Sequence, residues 1–410
     1  MDDSGAVAPT NVTRISESFS GDSLLGWIHL SAFCVMLHPL VACLLSIILI
    51  FRAALASNQC AEGSWSQSSE NEPFLKVRAA RKSLAGKKQK QGDSTWLRSA
   101  CSVQTIMHSC YAHGDFQRAQ ELEFRHWKAK NSQCQRYTSG RFLEVLRGRK
   151  ILLYGDSVMM QFWQTLVCAA EEDSSIQSNM RVSVDWFKHN SSSQLYYNEI
   201  TCPLGAEHCH LHGGDAYFSS LNVTISFRLF GYYEKVVENR VVLHNTYVPG
   251  LLDKLTLRNG LGARDVVVLN WGLHAHTEHD YVRRLQALRS DAAYIKFGKL
   301  LFLETFPQHF LHGYFDFVER SDEIDKRCHS QGSNTTNDWK NKAANLVLGG
   351  AVEILRVAKE LKSQHDAHLG ANSKLIKMHV ADCTHWCFPN GVFSYAATVL
   401  LNALLTQQEN

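Results

Sequence analysis

Ile151-Leu152-Leu153-Tyr154 is a continuous apolar run that stops at Gly155-Asp156-Ser157 and gives way to Val158–Ala170, a stretch without a charged residue. A short apolar run without alternation reads as a strand buried on both faces, and the segment after it reads as a helix packed on that strand. Val266-Val267-Val268-Leu269 and Leu300-Leu301-Phe302-Leu303 are further strands of this kind, and Leu375–Val380 reads as the last strand. Asn222 to Leu229 alternates Val223, Ile225, Phe227 and Leu229, the mark of a half-buried strand. Helical spacing runs through Tyr281–Leu288, Ala343–Leu361 and Tyr395–Leu405. Strands alternating with helices predict an α/β domain with a mostly parallel central sheet covered on both faces. Ligands of such sheets bind outside the carboxyl ends of the strands. The polar residues immediately after the strands should therefore converge: Asp156 and Ser157; Asn270, Gly272 and His274; Asp382 and His385.

Leu24 to Phe51 contains no Asp, Glu, Lys or Arg and is interrupted by His29, His38 and Pro39. It exceeds the ~20 residues a helix needs to span a bilayer. It reads as a single transmembrane signal-anchor over residues 24–52 or as a cleaved signal, since Ala54-Leu55-Ala56 before Ser57 has the form of a cleavage site. Residues 1–23 form a polar tail. Residues 53–94 read as a stem or linker, with Ser64, Ser66, Ser68 and Ser69 among Gln and Glu and then the basic stretch Lys76 to Lys90. Residues 95–410 form the globular domain. Of the 12 cysteines, ten follow the apolar run, which together with sequons at Asn190, Asn222 and Asn334 suits an oxidising lumen and several disulfides. The expected placement is the secretory pathway, with a secreted form as the alternative. A net charge of +3 gives no argument for a polyanionic partner, and no segment interleaves basic and aromatic residues as nucleic-acid binders do.

A serine hydroxyl becomes a nucleophile only when a base takes its proton. A strand-to-helix turn holds the hydroxyl of Ser157 out from the backbone, and the free N–H groups of the helix start face a developing oxyanion. The plainer reading of Gly155-Asp156-Ser157 is a helix cap made by Ser157 or Asp156. Asp382-Cys383-Thr384-His385 supplies the missing base: a carboxylate three residues before an imidazole can fix its tautomer and stabilise the imidazolium. The alternative there is a polar turn braced by Cys383 and Cys387. Asn270 carries a side-chain amide able to donate to an oxyanion, worth roughly 3 kcal/mol of barrier where such donors have been removed. His208-Cys209-His210-Leu211-His212 raises a zinc site, but no second ligand group accompanies it; a disulfide of Cys209, with Cys202 as one partner, is the other reading. No metal is expected.

These residues carry a resemblance. Gly155-Asp156-Ser157 with Phe162-Trp163-Gln164-Thr165-Leu166-Val167-Cys168, and Asp382-Cys383-Thr384-His385-Trp386-Cys387-Phe388-Pro389, resemble the Gly-Asp-Ser and Asp-x-x-His blocks of the trichome birefringence-like and PC-esterase family. Asp265–Gly272 is similar to the family's middle strand, and Thr305-Phe306-Pro307-Gln308-His309-Phe310 to its Thr-x-x-x-His-Phe segment. Trp127, Cys134, Phe142-Leu143 and Leu146-Arg147-Gly148 match the approach to the serine. The resemblance covers about residues 96–407. It implies a three-layer SGNH-hydrolase fold and a Golgi membrane protein, single-pass with a luminal C-terminal domain, that O-acetylates a polysaccharide or glycan from an acetyl donor without a further cofactor. Carried over by position, Ser157, Asp382 and His385 are the triad and Asn270 is the oxyanion asparagine. Gly231, after the strand ending at Phe230, is the candidate oxyanion glycine, beside the Ser157 N–H. The chain departs from the family at Leu303 and Glu304 and at Val158-Met159-Met160, positions that bear on the acceptor. An SGNH-type carbohydrate acetylesterase and a non-catalytic glycan-binding protein on the same fold are the alternatives. Acceptor, acetyl donor and oligomeric state are not in the sequence.

Overall fold

The computed structural model describes residues 60–67, 116–123, 125–177, 179–189, 195–197, 209–229, 249–273, 275, 277–310, 328–330, 338–370, 382–388 and 391–406. The apolar run Leu24–Phe51, the strand expected at Leu375–Val380, and Gly231, His208, His274, Asn190 and Asn334 lie outside them. Among the described residues no helix is long and apolar enough to cross a membrane.

The strands are β1 (Gly63–Gln67), β2 (Arg125–Ala129), β3 (Lys150–Gly155), β4 (Met180–His189), β5 (Leu195–Tyr197), β6 (Cys209–Phe218), β7 (Val223–Leu229), β8 (Val266–Leu269), β9 (Lys299–Leu303), β10 (Glu353–Leu355), β11 (His368–Gly370) and β12 (Asp382–Trp386). The helices are α1 (Phe116–Glu123), α2 (Ser139–Val145), α3 (Ser157–Glu171), α4 (Ser174–Gln177), α5 (Leu251–Asn259), α6 (Glu278–Ala292), α7 (Asp338–Leu348), α8 (Ala358–Leu361) and α9 (Gly391–Leu405).

The central sheet has 8 strands in the order β10-β9-β8-β3-β7-β6-β4-β5. The run β10-β9-β8-β3-β7 is parallel throughout. An antiparallel extension, β6-β4-β5, continues from β7. The class is α/β with a mostly parallel sheet, as expected. Side chains of the parallel strands alternate between two cores. Ile151, Leu153, Val266, Val268, Leu301 and Leu303 point into one, with Phe162, Trp163, Trp386, Tyr395 and Leu400. Leu152, Tyr154, Val267, Leu269, Leu300 and Phe302 point into the other, with Leu255, Leu285 and Leu348. Helices α3 and α9 are buried nearly all round, which is why neither carries charge within the buried part.

The order also fixes where a site belongs. From β3 the chain reaches β7 on one side and then crosses to β8 on the other, so the direction of winding reverses at β3. The crevice at such a reversal, beyond the carboxyl ends, is where α/β sheets bind ligands.

Two expectations change. The stretch Ala343–Leu361 is not one helix: α7 ends at Leu348, Gly349-Gly350 follows with Gly350 at φ 78, and Glu353–Leu355 pairs parallel with β9 as an edge strand. Glycine ends the helix because it alone takes that backbone without cost. Within the stretch read as a stem, Gly63–Gln67 pairs antiparallel with β2, and Cys60 is disulfide-bonded to Cys134. Trp65 there lies edge-on to Trp127 at 5.3 Å and to Tyr395 at 5.8 Å, burying apolar surface that a solvated linker would expose.

Candidate active site

β3 delivers Gly155 to the carboxyl edge of the sheet, and α3 begins at Ser157. Asp156 is the cap: its Oδ1 accepts from Val158 N (3.0 Å) and Met159 N (3.3 Å). Because the aspartate caps the helix, the Ser157 hydroxyl is left for another partner. Gly155 is required by close approach rather than by a left-handed backbone: a Cβ there would lie 2.6 Å from the Asn270 carbonyl oxygen and 2.8 Å from Met159 Cβ.

The partner of Ser157 is His385. Ser157 Oγ lies 2.8 Å from His385 Nε2, and His385 Nδ1 lies 2.9 Å from Asp382 Oδ2. With the carboxylate on Nδ1, the proton sits there and Nε2 is the acceptor for the serine O–H. The other carboxylate oxygen, Oδ1, accepts the main-chain N–H groups of Thr384 (3.1 Å) and His385 (2.9 Å), so the turn grips its own aspartate. Asp382 is buried while a quarter of the His385 side chain, 25%, remains open to solvent. Burial alone would raise the Asp382 pKa, but the neighbouring His385 charge and the hydrogen bonds outweigh it and hold the carboxyl well below the usual range. Burial would likewise lower the His385 pKa; the Asp382 carboxylate outweighs that and raises it.

Among the described strands β12 pairs only with the short β11, and long-range contacts fix it. Gln161, one turn beyond Ser157 on the same face of α3, grips the peptide after the histidine: its Nε2 donates to Trp386 O (2.9 Å) and its Oε1 accepts from Trp386 N (3.1 Å). Gln308 Nε2 donates to Thr384 Oγ1 (2.8 Å), and His309 N donates to Cys383 O (3.0 Å). Cys383 is disulfide-bonded to Cys328, and Cys168 and Cys387 each take part in a disulfide of their own.

Asn270 follows β8, and its main-chain N–H donates to Tyr154 O at 3.1 Å, beside the serine turn. Its amide faces away from the expected task. Nδ2 donates to Leu303 O and Glu304 O, both at 3.1 Å, while the buried Oδ1 has no partner among the described residues. In this arrangement Asn270 has no donor left for an oxyanion. Gly272 has φ 142, and a Cβ there would collide with Thr305 Oγ1, which donates to Trp271 O at 3.0 Å. Of the His208–His212 stretch only backbone from Cys209 onward is described, and among the described residues no cluster of His, Cys, Asp and Glu fits a metal ion.

Sequence reasoning missed the roles of Gln161 and Gln308, the burial of Asp156, and Lys340. Asp156 Oδ2 is buried without a partner among the described residues, and burial pushes the carboxyl up to about 6 against the pull of the Met159 and Val158 N–H groups. Lys340, at the start of α7, is buried with Nζ 3.4 Å from Leu273 O; burial lowers it to about 8 while Asp156 opposes that shift. Gln161 had a legible signal, a long amide within an otherwise apolar helix, four residues after the serine.

No protein-family model matches the chain. Among curated proteins it is similar to "Protein trichome birefringence-like 1" of Arabidopsis thaliana, 22% identical over 333 residues, which is 71% of this chain and 55% of that protein. It is also similar to "Protein trichome birefringence" of Arabidopsis thaliana, 22% identical over 335 residues, 71% of this chain and 50% of that protein. "Xylan O-acetyltransferase 14" of Oryza sativa subsp. japonica is 27% identical over 120 residues, 27% of this chain and 24% of that protein. The chain thus spans about half the length of the first two relatives, 55% and 50%. These relatives, trichome birefringence-like proteins and xylan O-acetyltransferases, place the chain in agreement with the trichome birefringence-like and PC-esterase family that its two end blocks resemble.

Proposed function

We propose that the chain is a glycan O-acetyltransferase of SGNH type that works through an acetyl-Ser157 intermediate. The observation that carries this reading is the hydrogen-bonded line Ser157–His385–Asp382 at the carboxyl edge of the sheet. The relatives named xylan O-acetyltransferase support acetyl transfer, with a polysaccharide hydroxyl as acceptor.

In the first half, Ser157 Oγ attacks the acyl carbonyl of the donor while His385 Nε2 takes the hydroxyl proton and passes it to the leaving group. Asp382 holds the opposite nitrogen and stabilises the imidazolium. The oxyanion forms against the Ser157 N–H at the start of α3, with Gly231 as a further donor. Asn270 joins when one of its two carbonyl bonds is exchanged for the oxyanion. In the second half, the acceptor hydroxyl gives its proton to His385 and attacks the acetyl ester; the proton returns to Ser157 Oγ as the ester leaves. No cofactor beyond the acetyl donor is proposed. The disulfides at Cys60–Cys134 and Cys328–Cys383 support a luminal domain, with the apolar run Leu24–Phe51 as a Golgi membrane anchor. Asn222, exposed in the turn between β6 and β7, is open to glycosylation there.

The test is acetyl transfer from candidate donors to xylan and other glycan acceptors by the purified full-length protein, read by mass spectrometry. Transfer by the wild type and none by Ser157→Ala is expected; equal rates for both would remove the mechanism. Hydrolysis that outruns transfer at saturating acceptor would make it an esterase. Failure of a serine-directed phosphonate to label Ser157 would favour a binding protein.

A further inference from the structure

Beneath the base turn lie two histidines with no part in the chemistry above. His309 and His368 are both fully buried. They form one line of contacts: His309 Nε2 is 2.9 Å from Lys362 O, His309 Nδ1 is 2.6 Å from His368 Nε2, and His368 Nδ1 is 3.1 Å from His385 O. The line ends on the main-chain oxygen of the candidate base itself.

Counting protons decides its charge. The two outer contacts end on carbonyl oxygens, which only accept, so His309 Nε2 and His368 Nδ1 must each carry a hydrogen. A neutral imidazole has one N–H. With both hydrogens used at the ends, the inner contact would set two lone pairs against each other at 2.6 Å. Moving either hydrogen inward repairs that contact and breaks an outer one. Three contacts need three hydrogens, and a neutral pair has two.

We infer that His309 and His368 share a third proton between Nδ1 and Nε2, as a buried imidazole–imidazolium pair, and that this pair is a positioning element for His385. The second part rests on the proposed role of His385; the first does not. Burial opposes the cation, pushing His309 down to about 4 and His368 well below its ordinary value. Three neighbours favour it. The Trp386 ring stacks on His368 with centroids 3.9 Å apart, offering its π face to a cation. The Asp382 carboxylate from β12 and the Asp366 carboxylate from the turn before β11 draw positive charge toward the pair, while Arg118 of α1 and His365 repel it. The short inner separation is that of a proton held by two nitrogens rather than of a metal, which would hold its ligands farther apart.

The pair then does two things for the base. Its Nδ1–H fixes the His385 carbonyl, and its positive charge behind the Asp382–His385 turn favours the neutral form of the His385 ring, which takes a proton. The experiment is nitrogen-15 NMR on the full-length chain labelled at histidine, near pH 7. Expected is one strongly deshielded proton coupled to two histidine nitrogens, absent from His309→Gln and from His368→Gln and unchanged in Ser157→Ala. Its absence from the wild type, or its survival in both glutamine variants, overturns the shared proton, and the wild-type spectrum decides this even if a variant fails to fold. In acetyl transfer, His309→Gln should move the acid limb of the kcat/KM profile upward by roughly half a pH unit or more. An unmoved limb beside an intact wild-type resonance overturns the positioning role alone.

Discussion

The serine and the histidine reach the site by different means. Ser157 is placed by elements adjacent in the chain: a central strand buried on both faces, a glycine that admits Asn270, and an aspartate cap. His385 is placed by contacts from other elements, among them Gln161, which grips Trp386 across a separation of 225, Gln308, His368 and the Cys328–Cys383 disulfide. The position of Ser157 is thus a property of the sheet, whereas that of His385 is assembled from side chains. Distant substitutions should therefore disturb the base and leave the serine where it is.

The largest effect expected separates the chemistry from both supports. Asp382→Asn should lower kcat on the order of 10⁴-fold, because the histidine then holds the wrong tautomer. Ser157→Ala should lose at least as much while leaving Tm unchanged, since among the described residues its hydroxyl bonds only His385. A fall in Tm for Ser157→Ala would mean that the serine side is braced by the base after all. Next comes the clamp. Gln161→Leu orphans the buried N–H and C=O of Trp386 and should cost about 2–4 kcal/mol in denaturant unfolding. It should also lower kcat with little change in KM. An unchanged kcat would show that the base turn holds its shape without α3.

Two smaller effects sharpen the comparison. Cys328→Ser removes the brace on Cys383 and should cost about 2–3 kcal/mol of stability. Protease should then cut near the base turn before it cuts near β3. The smallest effect lies on the serine side. Asp156 is buried with its carboxyl pushed up to about 6, so the folded state holds a proton that the unfolded state releases at lower pH, and stability declines as pH rises through that interval. Asp156→Asn keeps the capping oxygen and removes the buried charge. It should raise stability by about 1 kcal/mol at pH 7.5, an advantage that shrinks as pH falls through 6 and vanishes below about pH 4, where the wild-type carboxyl is protonated in the folded and unfolded states alike. Thermal melts at the two pH values check it.

The serine side was legible because local pattern carries it. Ile151–Tyr154 names a buried strand by its continuity, and Asp156-Ser157 names a helix start by its chemistry. The relation of Ser157 to Asp382 and His385 was expected from the rule that strand ends converge; the strand expected at Leu375–Val380 lies outside the described residues, and Asp382–Trp386 itself pairs with β11. The rest was hidden for physical reasons. The strand at Glu353–Leu355 sits in a stretch whose apolar spacing also fits a helix, and its pairing with Leu301–Leu303 is a non-local choice. The orientation of the Asn270 amide depends on carbonyls of Leu303 and Glu304 that no local spacing reveals. His368 meets His309 only after β11 pairs with β12, so nothing in its own neighbours announces it.

The separation of 228 residues between Ser157 and His385 has a consequence in time. At roughly 5–20 residues per second of synthesis, the base leaves the ribosome about 10–45 s after the nucleophile. During that interval the helix bearing the serine can form while its hydroxyl has no proton acceptor. On the proposed mechanism the nascent chain is then chemically silent toward acyl esters, and reactivity switches on when its C-terminal strand and helix dock.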